Sequence, residues 1–344
     1  MCDKDIICDF ENLYRAYNKA KVGKSNNNSC AKFQSMSLEG IQMLKEQLEN
    51  QTYKMNPYNE FTIYEPKERV IKSCNFKDKV VQHCLCDNIL HPRLRNEFIE
   101  CNYAGQIGKG THFALDKLKG HMMEFYSRNG LDGWILKCDI RKFFYSIDHE
   151  VLKDIVDYHF PNKYTSWLNH LFIDSTDGAG LPLGNQVAQV YALLVLNGLD
   201  HMVTGELGTN LYGRYMDDFY LIHRDKKYLE TCLSYIEEMV STLNLSLNGK
   251  TQILPFKNGM RFLGFHHYIT NDGKYIRKLC GDNKRKIKKR LRRNAKLVKY
   301  GKMSVEKFME SYNSWKNHAL NGNCKKLCHN MDMFVEDLLK ESEE

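Results

Sequence analysis

The amino-acid sequence of this 344-residue chain predicts an α+β fold that ends in a basic helical appendage. Short apolar segments with the composition of strands alternate with longer segments in which apolar residues recur every three or four positions. Residues 284–302 contain eleven Lys or Arg residues and no acidic residue. Because a solvated helix face usually carries both signs of charge, this block predicts contact with a polyanion, with nucleic acid as the first candidate. A membrane surface is the second candidate, although the block lacks the opposing aromatic or Leu-rich face expected there.

The overall composition is that of a soluble globular protein. With 42% apolar and 27% charged residues, disordered and fibrous classes are excluded, and the length allows two or three subdomains. The longest apolar run, residues 187–196, is interrupted by Gln189 and is too short to span a bilayer. The twelve cysteines lack zinc-site spacing and are typical of reduced thiols, and no secretory signal pattern is visible. We therefore expect a cytoplasmic protein without a membrane partner.

The first elements of the chain are predicted to be helical. The polar residues 24–29 predict a loop that separates an N-terminal helix from the rest of the chain. Residues 37–49 predict a helix with one buried face, since apolar residues recur there at spacings of three, three and four. These apolar residues are Leu38, Ile41, Leu44 and Leu48. Residues 61–64 and 69–71 then have the composition of strands on either side of Pro66.

A helix, a glycine-rich loop and a second helix are predicted next. Apolar residues recur at helical spacing in residues 78–90. Three glycines between residues 105 and 110 indicate a loop. Thr111 is the expected N-cap of a helix that runs to about residue 126.

The second half of the chain predicts a sheet whose strands end at acidic residues. Residues 134–138 form an apolar strand that ends at Asp139. Residues 211–215 and 219–222 have the pattern of two strands joined by a turn at residues 216–218. A further strand is predicted at residues 261–268, and helices are predicted at residues 149–160, 187–199 and 227–243.

Two adjacent acids, Asp217 and Asp218, lie between apolar strand residues, where a sheet would ordinarily have hydrophobic side chains. Adjacent carboxylates repel each other and are costly to desolvate, so a cation should compensate them. By itself the pair is equally well explained as a surface hairpin turn, because Asp is a favoured turn residue. A third acid, Asp139, also follows an apolar strand. Three carboxylates at strand ends can hold two Mg²⁺ ions about 3.5–4 Å apart, and Mn²⁺ can substitute for Mg²⁺.

The segments around these acids resemble motifs of reverse transcriptases. Residues 215–218 read Tyr-Met-Asp-Asp and resemble the YxDD box of that family, and residues 139–147 resemble its first aspartate motif. Further boxes follow in the family's order at residues 180–189, 248–252 and 261–265. Upstream, residues 65–71 and 76–82 resemble the fingers of retron-type and group II intron-like enzymes. The resemblance runs from about residue 53 to residue 327.

The resemblance implies a right-hand polymerase architecture, with fingers, a palm whose antiparallel sheet carries the catalytic aspartates, and a helical thumb. The implied segments are an N-terminal helical segment (residues 1–52), fingers (53–130), a palm that contains part of the fingers (131–272) and a basic helical thumb (273–344). The implied activity is the copying of an RNA template into DNA by two-metal nucleotidyl transfer. One ion would lower the pKa of the primer 3′-hydroxyl, and the other would bind the triphosphate and steady the departing pyrophosphate.

The resemblance also implies roles for single residues. The metal ligands would be Asp139, Asp217, Asp218 and the backbone carbonyl of Ile140. Lys250 would be a fourth catalytic residue beside the triphosphate, with a solvated loop lysine as the alternative. The residues implied to bind the incoming deoxynucleoside triphosphate (dNTP) are Arg69, Lys72, Phe144, Gln189 and Lys250.

Phe144 lies five residues after Asp139, where the family has the side chain that packs under the sugar of the incoming nucleotide. A bulky ring there would leave no room for a 2′-hydroxyl, so the residue is expected to select deoxynucleotides. The alternative is an ordinary core aromatic, since Phe143 beside it must also be accommodated.

Template and primer would be held along the palm and the thumb. A basic helix that follows the duplex would bind phosphates and 2′-hydroxyls, and Trp315 is expected in the thumb core rather than as a stacking platform. The residues implied to bind template–primer are Tyr215, Met216, Gly184, Phe262, Gly264, Lys284, Arg285, Lys288, Lys289, Arg292 and Arg293.

The pattern Leu-Gly-x-x-x-x-Gln at residues 183–189 is most similar to diversity-generating retroelement enzymes, although Ala188 stands where that class has Ser. This type implies a template-repeat RNA and a small basic accessory protein as partners. Phage-defence reverse transcriptases are the near alternative and imply a dedicated structured non-coding RNA. A catalytically inactive RNA-binding scaffold is a third possibility, which the three intact acids argue against.

Overall fold

The computed structural model describes residues 2–24, 28–64 and 68–343, which form helices and antiparallel sheets, and the α+β prediction is confirmed. The chain begins with helices α1 (Asp3–Ile7), α2 (Phe10–Lys21), α3 (Asn28–Gln34) and α4 (Ser37–Glu49). The helix predicted at residues 37–49 is therefore confirmed, but its Leu38 is 61% exposed, so the buried face begins only at Ile41. Of the predicted loop at residues 24–29, residues 25–27 lie outside the described residues, and Asn28 already belongs to α3.

An antiparallel hairpin follows, formed by β1 (Asn59–Ile63) and β2 (Arg69–Ser73). Both strands were predicted, whereas Pro66 between them lies outside the described residues. Helix α5 (Phe76–Leu85) continues through a π-helical turn at Cys86–Leu90 into α6 (His91–Leu94), so the apolar pattern at residues 78–90 reflects two helical geometries.

The next helix, α7, spans Thr111–Asn129, and its N-cap is Gly110. The prediction of Thr111 as the N-cap was wrong by one residue. The Thr111 hydroxyl instead lies 3.4 Å from the hydroxyl of Tyr215, so it contacts the turn that carries the paired acids rather than capping its own helix.

The central sheet has the strand order β4-β5-β3-β6, with every pair antiparallel. Its strands are β3 (Trp134–Asp139), β4 (Tyr212–Tyr215), β5 (Asp218–His223) and β6 (Gln252–Pro255). The helices of this region are α8 (Phe143–Ser146), α9 (His149–His159), α10 (Lys163–Ile173), α11 (Gln186–Val195), α12 (Asn197–His201) and α13 (Lys226–Thr242), with a π-helical turn at Met202–Glu206. The helix predicted at residues 187–199 is thus interrupted at Leu196.

The two faces of the central sheet contact different cores because successive strand side chains alternate. Leu136 and Phe219 pack into the large core, which contains α13 as well as the helices of the N-terminal half. Ile135 and Tyr220 pack on the other face against α7 and against Phe262. Asp139 and Asp218 belong to this second face, since they lie at even spacing from Ile135 and Tyr220.

A smaller three-stranded sheet follows, formed by β7 (Met260–Phe262), β8 (Phe265–Ile269) and β9 (Tyr275–Leu279). The single strand predicted at residues 261–268 was wrong, because the chain reverses at Leu263 and Gly264, which have φ angles of 48° and 84°. A short 3₁₀ helix at Phe256–Asn258 precedes this sheet.

Three C-terminal helices, α14 (Gly281–Lys299), α15 (Val305–Ala319) and α16 (Lys325–Glu343), share a hydrophobic core to which Leu115, Phe265 and Leu279 also contribute. Trp315 is 6% exposed in that core, as expected, and its Nε1 donates a 2.7 Å hydrogen bond to Asn283 Oδ1. No helix within residues 2–24, 28–64 and 68–343 is long and apolar enough to cross a membrane.

Candidate active site

The three predicted acids come together at one end of the central sheet. Asp139 is the last residue of β3 and Asp218 the first residue of β5, and the two are directly opposite each other in the strand register. Asp217 lies in the tight turn between β4 and β5, and its carbonyl accepts a 3.2 Å hydrogen bond from the amide of Ile140. Met216 in the same turn has a φ of 57°, a left-handed conformation that is unusual for a methionine.

The environment of Asp217 favours a bound cation. Burial raises the pKa of its carboxyl, and the nearby charge of Asp139 raises it further, whereas Lys137 and Arg69 act in the opposite direction. Both effects that raise the pKa disfavour the ionised form, and a divalent ion between the two carboxylates would relieve them.

Asp218 has a protein cation beside it. The Nζ atom of Lys137 contacts the Asp218 carboxylate, donates hydrogen bonds of 3.2 Å and 3.4 Å to the carbonyls of Cys138 and Phe219, and lies 5.4 Å from the ring centre of Phe262. Burial lowers the pKa of Lys137 to about 8. The residue lies on the same sheet face as Asp139, two positions earlier, but nothing local in the sequence indicated its pairing with Asp218.

The oxygen donors fit a hard cation that takes part of its ligand shell from elsewhere. Among the residues that the structure describes, no group of three or more His, Cys, Asp and Glu side chains is arranged to hold a metal ion. Mg²⁺ is commonly bound by only one or two carboxylates and completes its octahedron with water and substrate phosphates. Asp139 and Asp217 suit that role, whereas Asp218 already has one carboxylate oxygen in contact with Lys137.

Asn248 was missed as a site residue, although its motif was singled out. Its Nδ2 donates a 2.8 Å hydrogen bond to Asp139 Oδ1, and its amide donates a 2.7 Å bond to the Asp139 carbonyl. The amide of Lys250 in turn donates to Asn248 Oδ1 at 3.2 Å. Asn248 therefore joins the exposed loop of Lys250 to the first acid.

Phe144 lies on the short helix α8, five residues after Asp139, and is partly buried, whereas its neighbour Phe143 is 2% exposed. The Phe144 carbonyl accepts a 2.6 Å hydrogen bond from the amide of Leu181, and the Ile147 carbonyl accepts one of 2.8 Å from Gly180. Gly180 has a φ of 90°, and a Cβ there would lie 2.8 Å from the backbone of Tyr145. Only glycine therefore allows the two segments to approach this closely.

The residues expected to bind a dNTP differ in their surroundings. Arg69, exposed on β2, is close enough to lower the pKa of Asp217. Lys72 forms a 3.3 Å ion pair with Glu60 on the neighbouring strand, so its charge is already engaged. Gln189 is exposed on α11, and Lys250 is exposed in its loop.

The palm residues that are expected to bind template–primer also differ in their exposure to solvent. Tyr215 and Met216 lie in or beside the acidic turn, and Gly184 is exposed with a φ of 110°. Gly264, at the tip of the β7–β8 hairpin, is exposed as well. Phe262 is 1% exposed, and its ring packs edge-on against that of Tyr220 with 5.4 Å between the ring centres. Its side chain therefore supports the hairpin from within the core.

The basic residues of α14 fall on two faces of the helix. One face, called the cleft face here, lines a cavity of about 590 Å³ together with Tyr64 and Trp315. The other face, called the rear face, points toward α16, and its Lys288 and Arg292 lie 5.4 Å and 5.3 Å from the ring centre of Phe334. The cleft face consists of Lys286, Lys289, Arg290 and Arg293, and the rear face of Lys288, Arg292, Lys296 and Lys299.

The structure therefore divides the six predicted thumb residues. Lys289 and Arg293 belong to the cleft face, whereas Lys288 and Arg292 belong to the rear face. Lys284 lines a separate cavity of about 510 Å³ beside Lys137. Arg285 is exposed and forms an ion pair with Asp282.

An antiparallel sheet with acids at its strand ends, a two-stranded hairpin and a basic three-helix unit are the features of the right-hand class of template-directed polymerases. A model of the reverse transcriptase (RNA-dependent DNA polymerase) family matches residues 59–267, and the chain belongs to that family. Reverse transcriptases are nucleotidyltransferases that bind RNA templates and primers and generally use divalent metal ions such as Mg²⁺.

Two solved telomerase structures share the fold. Telomerase from Candida albicans in complex with a TWJ fragment of telomeric RNA is 14% identical, covers 83% of this chain and has a TM-score of 0.50. Apo telomerase from Candida tropicalis is also 14% identical, covers 84% of this chain and has a TM-score of 0.50. The matches span 55% and 60% of the lengths of those chains. No curated protein sequence matches this chain.

Proposed function

We propose that this chain copies an RNA template into DNA by adding dNTPs to a primer at the acidic end of the central sheet. The observation that carries the proposal is the meeting of Asp139, at the end of β3, with Asp217, in the turn between β4 and β5, where burial and the charge of Asp139 raise the pKa of the Asp217 carboxyl. A divalent cation would relieve this repulsion, and the arrangement suits two-metal nucleotidyl transfer.

In this proposal, the metal ligands are Asp139, Asp217, Asp218 and the Ile140 carbonyl, and Mn²⁺ can replace Mg²⁺. The bound ions would activate the primer 3′-hydroxyl and neutralise charge that develops on the triphosphate. Asn248 orients Asp139 through its hydrogen bond to Oδ1.

The remaining residues would bind and select the nucleotide. Arg69 offers a guanidinium for charge-assisted hydrogen bonds to phosphate oxygens, and its charge lowers the pKa of Asp217. Lys72 is instead paired with Glu60. Gln189 and Lys250 are exposed for contact with the base and the triphosphate. Phe144 would exclude the 2′-hydroxyl of a ribonucleotide by the bulk of its ring.

We also propose the division into an N-terminal helical segment (residues 1–52), fingers (53–130), palm (131–272) and thumb (273–344). The hydrophobic core that α14, α15 and α16 form, with Phe265, Leu279 and Leu115 at its edge, supports a distinct thumb that packs on the β7–β9 sheet and α7. The β9 strand, at Tyr275–Leu279, pairs with β8, so the proposed thumb would begin with a strand that belongs to the preceding sheet.

For the biological setting, we propose a diversity-generating retroelement, in which a template-repeat RNA and a small basic accessory protein would be the partners. The motif at residues 183–189 supports this choice. A phage-defence enzyme with a dedicated structured RNA is the second candidate, because Ala188 departs from the first pattern. Near-identical repeats beside a variable target gene would favour the first candidate, and an isolated locus with a structured RNA would favour the second.

The direct test measures dNTP incorporation on an RNA template with a DNA primer, with and without Mg²⁺. The Asp217→Ala, Asp218→Ala double variant should lose incorporation. Glu336→Ala, Asp337→Ala is the matched control, since it removes two adjacent exposed acids from α16. Equal incorporation by the wild type and the Asp217/Asp218 variant would refute the assignment, and no incorporation by either would favour an RNA-binding scaffold. Sequencing the nucleic acid that copurifies with the protein would identify its template.

A further inference from the structure

A fully buried ion pair lies behind the turn that carries the paired acids. Arg214 on β4 and Asp200 on α12 are both 0% exposed. Arg214 Nε donates a 2.6 Å hydrogen bond to Asp200 Oδ1, and Nη2 donates to Oδ2, so the contact is bidentate. The hydroxyl of Tyr212 donates a further 2.6 Å bond to Asp200 Oδ1. The carboxylate is therefore held from two neighbouring positions of one strand.

The same guanidinium also contacts the turn. Arg214 Nη1 donates a 3.0 Å hydrogen bond to the carbonyl of Met216, the residue with the left-handed φ of 57°. Its Nη2 lies 3.4 Å from the carbonyl of Leu193 on α11. One side chain thus joins the turn to α11 and, through Asp200, to α12.

Stability alone does not account for this arrangement. Removing two charges from water is costly, and replacing a buried ion pair by apolar residues of similar size is often neutral or stabilising. A left-handed methionine is also unfavourable unless its surroundings hold it in place. The contact from Nη1 to the Met216 carbonyl supplies such a restraint directly before Asp217.

We infer that Arg214 and Asp200 are positioning residues for catalysis. Their ion pair holds Met216 in the left-handed conformation that brings Asp217 beside Asp139, and it ties that turn to α11, the helix that carries Gln189. The inference rests on the proposed function, because it concerns the polymerase site. Neither residue touches the reacting atoms.

Lysine cannot replace this arginine. A single ammonium group does not provide a rigid fork that can bind the carboxylate at two points and reach a third acceptor. Arg214→Lys keeps the charge that neutralises Asp200, so we expect it to fold. It should lose the hydrogen bond to Met216.

The first test compares Arg214→Lys with Tyr212→Phe. In Arg214→Lys, kcat should fall about 30- to 100-fold, whereas the Kd for primer–template stays within about threefold, since small misplacements of catalytic groups cost about this much. Tyr212→Phe removes a hydrogen bond to the same carboxylate but leaves the arginine in place. It should lower the melting temperature and keep kcat within about threefold.

The second test removes the whole buried polar group. The triple variant Asp200→Leu, Tyr212→Phe, Arg214→Met leaves no unpaired buried charge and should remain folded. Its kcat should nevertheless fall by about 30-fold or more. A triple variant that melts near the wild-type temperature and retains wild-type kcat would overturn the inference.

Amide hydrogen exchange provides a reading that does not depend on activity. The amide of Ile140 donates to the Asp217 carbonyl, so it reports the turn geometry directly. It should exchange at least about tenfold faster in Arg214→Lys than in the wild type, whereas the amide of Leu221 in the middle of β5 should be unchanged. Unchanged exchange at Ile140 would contradict the inference. A wild-type protein that incorporates no dNTP would instead contradict the proposed function. The exchange rate of the Ile140 amide would then still show whether Arg214 holds the turn in place.

Discussion

Asn248 Nδ2 donates a 2.8 Å hydrogen bond to Oδ1 of Asp139, across 109 positions of sequence. The Asn248 amide also donates to the Asp139 backbone carbonyl at 2.7 Å, so both the side chain and the backbone of the first acid are held by one residue.

Asn248→Ala should reduce kcat by about ten- to hundredfold, because it removes a hydrogen bond to a charged group that must be oriented. Steady-state dNTP incorporation on an RNA template measures this effect. Asn244→Gly is the matched control. It removes the Asn–carboxylate hydrogen bond to Asp148 and tolerates the left-handed backbone at that position. Similar losses in both variants would show that Asn248 has no special role.

Asp217→Asn should raise the melting temperature at pH 7 without metal, by about 1–3 °C. The pKa of Asp217 is raised by burial and by Asp139, so the folded state favours the protonated carboxyl, and ionisation at neutral pH destabilises it. The relative gain should shrink as the pH falls through the raised pKa, because the wild-type residue then becomes neutral as well. Thermal denaturation in EDTA across this pH range measures the effect.

Asp218→Asn should have the opposite effect in the same experiment. Its carboxylate contacts the buried ammonium group of Lys137, so the change replaces the charged partner that contacts this cation by a neutral amide. If both asparagine variants shift the melting temperature in the same direction, the electrostatic distinction between the two acids is wrong.

Phe144→Val should relax discrimination against ribonucleotides by about tenfold or more, because the smaller side chain leaves room for a 2′-hydroxyl. The measurement is the ratio of kcat/KM for a dNTP and for the corresponding ribonucleotide. Phe143→Leu is the control, since Phe143 is a core residue at 2% exposure, and this change should reduce stability and leave the ratio intact. Unchanged selectivity in Phe144→Val would remove its role as a gate.

Lys289→Gln, Arg293→Gln should weaken template–primer binding and reduce the slope of log K against log salt by about one to two, because each lost phosphate contact contributes about one unit. Lys288→Gln, Arg292→Gln removes the same charges from the rear face and should change the slope little. Fluorescence anisotropy between 50 and 300 mM salt, about the range where such contacts are screened, measures both variants. Equal slopes in the two variants would contradict the division of α14 into two faces.

The central sheet and its acids could be predicted because the signals are local. Apolar strand residues on both sides of Asp217 and Asp218 indicated a strand, a turn and a strand, and the structure contains all three. The helix at Ser37–Glu49 was predictable for the same reason, since its spacing is a property of a short segment.

Contacts between distant segments could not be predicted from such patterns. The pairing of Lys137 with Asp218 depends on the register of β3 and β5, and the bidentate contact of Arg214 with Asp200 depends on how α12 packs behind the sheet. The strand prediction for residues 261–268 missed the reversal at Leu263 because leucine seldom has a positive φ, although the resemblance of residues 261–265 to a primer-grip hairpin implied a turn. The basic block of α14 was visible as a count of charges, but its two faces depend on where α16 packs.

The hydrogen bonds from Leu181 to Phe144 and from Gly180 to Ile147 join two motifs that are separate in the sequence. Because a Cβ at position 180 would clash with the Tyr145 backbone, the two motifs can pack this closely only when position 180 is glycine. Residues 139–147 and 180–189 should therefore be exchanged together. A chimeric enzyme that takes these two segments from different parents would disrupt their shared hydrogen bonds, whereas one that takes both from the same parent would transfer the unit intact.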